Sequence, residues 1–302
     1  IGTNFTWNVI QEQSITGGSN QSTSQYIISQ TLVNSDVNTK DATYTITANT
    51  NSTPVCSNSF IAIIHVNPEP KISTQNITIC SGNTFTCTPS STNGDVVPLG
   101  TKYVWTVANV IGISGSSDNN TGKSTISQTL INSTNSPIEI SYNVKGIVGV
   151  APKICSSDFV LNVIVNPTPK IDQKTTTICS GETFTIEPKD NSPIEIVPSN
   201  IQYTWTIENS NGIIGSSPVS LATNNISQTL INNTTNPIIV DYLILAMSGS
   251  TPNICSSNFL GKVIVNPLPS FTPTAIPQCE NEPLFLQANY STAKKVVWTG
   301  PN

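Results

Sequence analysis

The chain contains no arginine, one histidine and one methionine, and charged residues make up only 10% of its 302 positions. Each scarcity excludes something. Without arginine there is no bidentate clamp for phosphate or carboxylate. Cations that are all lysine, in a chain of net charge −5, do not supply the basic face that nucleic acid requires. No run reaches the roughly 18–20 apolar residues of a membrane span, so no membrane insertion is expected. No window carries an apolar stripe of helical period, and aromatics are held to 6%. Seven cysteines without a C-x-x-C pair, in a chain with a single histidine, fit an oxidised, exported protein better than a metal protein. The chain opens on Ile1 with neither a methionine nor a signal peptide, and is read as a mature product or an excerpt.

What is present is repetition. ISQTLIN stands at 126–132 and again at 226–232, with ISQTLVN at 28–34. KYVWTV (102–107) matches QYTWTI (202–207), and more loosely NFTWNV (4–9) and KVVWTG (295–300). TICSGNTFTCTP (78–89) matches TICSGETFTIEP (177–188), and ICSSDFVLNVIVNPTPK (154–170) matches ICSSNFLGKVIVNPLPS (254–270) and VCSNSFIAIIHVNPEPK (55–71). Self-similarity at a period near one hundred residues decides the architecture before any local feature does. Each N-P-x-P run marks a boundary, because proline cannot join a ladder and holds its predecessor extended. The expected division is a partial repeat at 1–69 lacking its opening strands, complete repeats at 70–169 and 170–269, and a partial repeat at 270–302 lacking its closing strands. Both partial repeats are read as excerpts of a longer array.

Within a repeat the pattern is that of strands. FVLNVIV places Phe159, Leu161, Val163 and Val165 on one face, and YTWTI turns Tyr203, Trp205 and Ile207 inward. Alternation of period two, enrichment in Thr, Val and Ile, and breaks about every ten residues predict an all-β, two-sheet sandwich. Trp7, Trp105, Trp205 and Trp298 are read as core anchors, one to each repeat. In ISQTLIN, Ile226, Thr229–Leu230 and Ile231 are expected to help close the core.

The cysteines admit two registers. Cys56–Cys80, Cys155–Cys179 and Cys255–Cys279 are 24 residues apart across a linker, whereas Cys80–Cys155 and Cys179–Cys255 are 75 and 76 apart within a repeat. Spacing does not choose between them. Two extended strands at about 3.3 Å per residue carry Cys255 and Cys279 far apart, well past the roughly 7 Å that a bridge tolerates. The expectation is therefore Cys80–Cys155 and Cys179–Cys255. Cys87 takes the inward place of Ile186 and is read as a buried thiol.

Residues for chemistry are sparse. His65 stands where the sibling repeats have Ile164 and Ile264. Glu182, Glu187, Asp190 and Glu195 fall in one repeat, while its sibling carries Asn83, Thr88 and Ser91 at the first three places, which is no basis for a paired-carboxylate hydrolase. SSDNNTG (116–122) is oxygen-rich but lacks the further carboxylates of a calcium loop, and its counterpart has no aspartate. Neither a catalytic residue nor a cofactor or metal ligand is assigned.

The combined pattern, TICSG-x-TFTI, Y-x-WTI, ISQTLIN, ICSS-x-F and VIVNP-x-P, resembles the PKD-like, immunoglobulin-like repeats of Bacteroidota surface proteins, including giant gliding-motility adhesins of the SprB type exported by type IX secretion. The resemblance implies tandem β-sandwich domains in an extended array, at the cell surface, with a stalk or adhesive role. The partners it implies are other repeats of the same parent chain, neighbouring filament subunits, and a surface or polysaccharide ligand. The competing reading is a spacer or carbohydrate-binding module of a larger secreted hydrolase, which would need an exposed aromatic row.

Overall fold

The computed structural model describes residues 2–151, 153–269, 271–275, 279–283, 286–290 and 297. These residues form strands and turns, with no helix among the described residues. The first repeat runs β1 (Thr3–Gln11), β2 (Ile15–Thr16), β3 (Gln21–Gln25), β4 (Val33–Asn34), β5 (Lys40–Thr50) and β6 (Ser57–Val66). The second runs β7 (Gln75–Cys80), β8 (Thr84–Cys87), β9 (Lys102–Val107), β10 (Ile113–Ser114), β11 (Asn119–Lys123), β12 (Ile126–Thr129), β13 (Ile131–Asn132), β14 (Ile138–Val150) and β15 (Lys153–Asn166). The third runs β16 (Lys174–Cys179), β17 (Thr183–Ile186), β18 (Gln202–Asn209), β19 (Ile213–Ile214), β20 (Val219–Thr223), β21 (Ile226–Thr229), β22 (Ile231–Asn232), β23 (Ile238–Ser250) and β24 (Asn253–Asn266). Beyond it β25 (Phe271–Ala275) pairs antiparallel with β26 (Leu286–Tyr290).

By internal contacts the chain forms two compact units, residues 1–132 with 138–165, and residues 133–137 with 166–302. In the second unit a five-stranded sheet runs β16-β24-β23-β18-β20, and two short pairs, β17-β21 and β19-β22, lie apart from it. β23 and β24 form one long hairpin, in register from Ile238↔Val265 to Ser250↔Asn253. β16 closes the sheet as a parallel strand, with Lys174 opposite Gly261 and Cys179 opposite Asn266. The pairing is parallel because β16 runs in the same direction as β24, alongside its C-terminal half from Gly261 to Asn266. The core collects the inward residues of both layers, among them Phe184, Trp205, Leu230, Tyr242, Phe259 and Val263. The rings of Phe184 and Tyr242 meet with centroids 5.2 Å apart. Each large side chain sealed here contributes about 1.5–3 kcal/mol through apolar burial.

The first unit contains the same plan once in full, as the sheet β11-β9-β14-β15-β7 with the pairs β8-β12 and β10-β13. It also holds a reduced version, the four-stranded sheet β3-β1-β5-β6 with the pair β2-β4. In that sheet β6 is an edge strand. The all-β sandwich expected from period-two patterning is the architecture found, and Phe159, Leu161, Val163 and Val165 are all buried as the alternation requires.

Candidate functional site

The feature that recurs in the first three repeats is a hydrogen-bond hub around one serine carbonyl. In the third repeat Trp205 Nε1 donates to the Ser217 carbonyl at 3.0 Å, and Gln228 Nε2 donates to the same oxygen at 2.6 Å and to Ser217 Oγ at 3.0 Å. The Gln228 Oε1 accepts the Ser217 N–H at 3.3 Å and the Tyr242 hydroxyl at 3.0 Å. The second repeat repeats this with Trp105, Ser117, Gln128 and Tyr142. The first does so with Trp7, Ser19, Gln30 and Tyr44. A glycine two residues before the serine is obligatory. Gly215 has φ of +92° and a Cβ there would stand 2.2 Å from the Thr229 carbonyl, so the loop can press against the glutamine strand only without a side chain.

The same heptapeptide ends in a second device. Asn232 Nδ2 donates to the Val265 and Asn236 carbonyls, both at 2.8 Å, and Asn132 and Asn34 reach Val165 and Val66 at 2.8 Å. Each thereby satisfies the carbonyl of the valine at the end of the closing strand, just before its N-P-x-P run. Ser180 Oγ accepts the Asn232 N–H at 2.9 Å, and the Gly181 N–H donates to the Leu230 carbonyl at 2.8 Å, so the C-S-G turn locks onto the end of this segment. The inward residues of the heptapeptide are Ile226, Gln228, Leu230 and Asn232. Ile231, expected to help close the core, instead lies 40% exposed. A strand sends successive side chains to opposite faces, so Leu230 and Ile231 cannot both point inward.

Trp7, Trp105 and Trp205 are buried in the three cores, whereas Trp298 lies outside the described residues. Tyr103 and Tyr203 are buried beside the second and third tryptophans, and burial pushes both phenols up to about 12.

The within-repeat bridges are not formed. Cys80 and Cys255 are disulfide-bonded, but Cys155 and Cys179 are thiols, as are Cys56, Cys87 and Cys279. The cause is the parallel ladder. Cys179 sits opposite Asn266, eleven residues along β24 from Cys255, or about 36 Å at strand rise. In the second repeat Asn162 Nδ2 donates to Asn76 Oδ1 at 3.1 Å, which sets the same offset between Cys80 and Cys155. The linker set fails too, because each of its pairs contains a thiol.

Cys87 pairs with Ile126 across β8 and β12 and is buried, and burial pushes its thiol up to about 11. Cys56, Cys179 and Cys279 are exposed. Alkylation of the native protein at neutral pH should therefore label those three within minutes and spare Cys87 until denaturant is added, as peptide mass mapping would read.

Of the charged side chains flagged by sequence, Glu182, Asp190, Glu195, His65 and Asp118 are engaged structurally. Glu182 Oε2 accepts the Cys179 N–H at 2.8 Å across the C-S-G turn. Asp190 accepts from Val197 N–H, Ser192 Oγ and Asn135 Nδ2. His65 Nδ1 lies 2.6 Å from Asp41 Oδ1 on the surface, and Asp118 accepts the Val107 N–H at 2.8 Å. Glu187 is exposed. Glu195 holds Lys174 Nζ at 2.7 and 2.9 Å and accepts the Asp172 N–H at 2.9 Å. The lysine first, then that N–H, hold its carboxyl below the usual range. A lowered folded-state pKa gives stability that is present above the ordinary carboxylate value and lost as pH falls through the folded one. Glu195→Gln should therefore lower the melting temperature of the third repeat at pH 7 and leave it unchanged near pH 2, measured by calorimetry.

A β-sandwich plan that recurs along the chain, with the residues its copies share spent on internal hydrogen bonds, is the plan of a tandem β-sandwich protein. The chain belongs to the PKD-like domain family, whose model matches residues 1–70 and 176–269. Such domains are generally non-catalytic and typically extracellular, serving as structural or adhesion modules. Among the described residues no helix is long and apolar enough to cross a membrane. No curated protein matches the chain. Among solved structures it is similar to the I67–I69 fragment of the titin I-band, at 13% identity and TM-score 0.32, covering 88% of each chain. It is also similar to the three N-terminal domains of the bacteriophage RB49 highly immunogenic outer capsid protein, at 10% identity and TM-score 0.35, covering 89% of each. A third is mouse clustered protocadherin PcdhgC3 EC1-3, at 12% identity and TM-score 0.30, covering 84% of this chain and 88% of that one.

Proposed function

We propose that this chain is a non-enzymatic structural segment of a large, repetitive cell-surface adhesin or filament, of the kind Bacteroidota export by type IX secretion for adhesion and gliding. Its repeats are 1–69, 70–169, 170–269 and 270–302, and their partners are further repeats of the parent chain or neighbouring filament subunits. The observation that carries this reading is the triplicate Trp–Ser–Gln–Tyr hub. Side chains that could bind or react are instead committed, in three successive copies, to holding a sandwich together. Selection on such a unit acts through copy number and rigidity rather than through a site.

The carbohydrate-binding alternative finds little support. Tyr103 and Tyr203, beside the core tryptophans, are buried, and among the residues whose side chains are described the exposed aromatic rings are those of Tyr26 and Phe60. Two rings at separate places make no row.

An antiserum against residues 170–269 should label intact cells of the source organism, and brief external proteolysis should abolish the signal. Deleting the parent gene should impair attachment or spreading. Labelling that appears only after permeabilisation, or hydrolysis of a polysaccharide by the parent protein with attachment unchanged, would overturn the reading.

A further inference from the structure

The seven cysteines leave one bond to assign. Cys56, Cys87, Cys155, Cys179 and Cys279 are thiols, whereas Cys80 and Cys255 are disulfide-bonded. Neither register read from the spacing accommodates this, because every bridge in both of them needs one of the five thiols.

Each bonded cysteine is placed by its own unit. Cys80 ends β7 and is followed by Ser81, whose hydroxyl accepts the Asn132 N–H at 2.9 Å and donates to the Asn132 carbonyl at 3.2 Å. Asn132 in turn donates to the Val165 carbonyl at 2.8 Å. Cys80 is thereby held where the chain leaves β15. In the other unit Cys255 stands opposite Ser248 in the β23–β24 ladder. The Ser248 hydroxyl donates to the Pro167 carbonyl at 3.0 Å and lies 3.4 Å from the Cys255 carbonyl. Cys255 is thereby held to the N-P-x-P run that follows β15. Val165 and Pro167 are separated in sequence by Asn166 alone, so both cysteines are tied to one short stretch of covalent chain, one from each end.

We propose that Cys80 and Cys255 are bonded to each other, joining the opening strand of one repeat to the closing strand of the next, and that under tension this bridge shunts load past the sequence between them. Its formation needs a low-molecular-weight disulfide, RSSR, as oxidant. One protein thiolate attacks a sulfur of RSSR and releases the first RSH, and the other thiolate displaces the second from the mixed disulfide. Two protein thiols are oxidised to one disulfide while RSSR is reduced to two RSH.

The mechanical consequence follows from connectivity. A pull on the two ends of the chain runs through residues 1–80, crosses the sulfur pair and continues from Cys255. Residues 81–254, which contain β8 to β23, are bypassed. The Trp105 and Trp205 hubs both lie inside that loop, so neither is drawn out while the bond stands. The use of such a shunt rests on the adhesin or filament reading, but the bond itself does not.

Two measurements test it on the full 302-residue chain. The chain is refolded with oxidised and reduced glutathione, its remaining thiols are alkylated in denaturant, and its peptides are mapped without reduction. The fragments carrying Cys80 and Cys255 should appear linked to each other in a monomer, with the other five cysteines alkylated. Cys80 found alkylated, joined to a different cysteine, or joined to a second copy of the chain would overturn the bond. Single oxidised molecules are then pulled by their ends. Their fully unfolded length should fall short by about 600 Å, the extended length of residues 81–254 at roughly 3.3–3.6 Å per residue. Dithiothreitol or Cys255→Ser should restore that length even if the variant no longer folds, and Cys155→Ser should leave the shortfall in place. Equal lengths with and without reductant would overturn the shunt. Failure of the cell-surface reading would leave both readouts unchanged, so the two failures are distinguishable.

Discussion

Trp205→Ala should destabilise the third repeat by about 3–5 kcal/mol, the range for removing a buried large aromatic from a core that only partly collapses around the gap. Trp205 is sealed among Phe184, Tyr203, Ile244 and Phe259, so little backbone can relax into the space. The indole N–H is the smaller share of the effect, because the Ser217 carbonyl keeps the Gln228 amide as a donor when Trp205 is gone. Trp205→Phe isolates that share. It retains most of the apolar volume and should cost about 1–2 kcal/mol, from one lost hydrogen bond and a small void. Denaturant unfolding, followed by exchange in the strands of the third repeat, measures both. The same pair of substitutions at Trp105 should give matching values, because its partners Phe85, Tyr103, Val144 and Phe159 stand in the same places. If Trp205→Ala cost less than Trp205→Phe, the indole would be a surface group, and its role as a core anchor would fall.

The strand pattern was legible because the period of two is written in apolar residues. Phe159, Leu161, Val163 and Val165 announce their face without help from the rest of the chain. Cys87 was legible for the same reason, since a small hydrophobe had replaced Ile186 at an inward position. The hub was not legible. Gln228 and Asn232 occupy inward positions of the same alternation as Ile226 and Leu230, but a polar amide reads as an outward residue unless its partners are known. Those partners, Ser217, Tyr242 and Val265, lie up to 33 residues away. One signal was available: a glutamine and an asparagine retained two and six places after the same isoleucine in all three copies of the heptapeptide. The bridges failed for a related reason. Whether a repeat's opening strand lies parallel to its closing strand is a fact of topology, and that fact alone carries Cys179 to the far end of β24 from Cys255. The exposed Phe60 was hidden as well, since the sequence of β6 is as apolar as that of its siblings.

Gln228→Ala should cost about 2–4 kcal/mol, more than truncating a half-buried polar side chain ordinarily does, because of what it strands. Tyr242 is fully buried, and its hydroxyl donates to Gln228 Oε1; burial also drives its phenol pKa far upward, so the group cannot escape by ionising. Losing the glutamine leaves a buried donor unsatisfied, at about 1–3 kcal/mol, and frees the Ser217 loop from one of the two side chains that hold it. The stranded hydroxyl can be removed separately. Tyr242→Phe deletes the donor and leaves Gln228 with its serine contacts, so on its own it should cost about 1 kcal/mol. In the double variant there is no orphan, and the total should fall short of the summed single costs by about 1 kcal/mol or more, the coupling expected of residues in one network. Denaturant unfolding of the wild type, both single variants and the double variant closes this cycle. Additivity within about 0.3 kcal/mol, the behaviour of independent sites, would mean that the hydroxyl finds another partner. The recurring glutamine would then be a surface tie on the serine loop rather than the centre of the repeat.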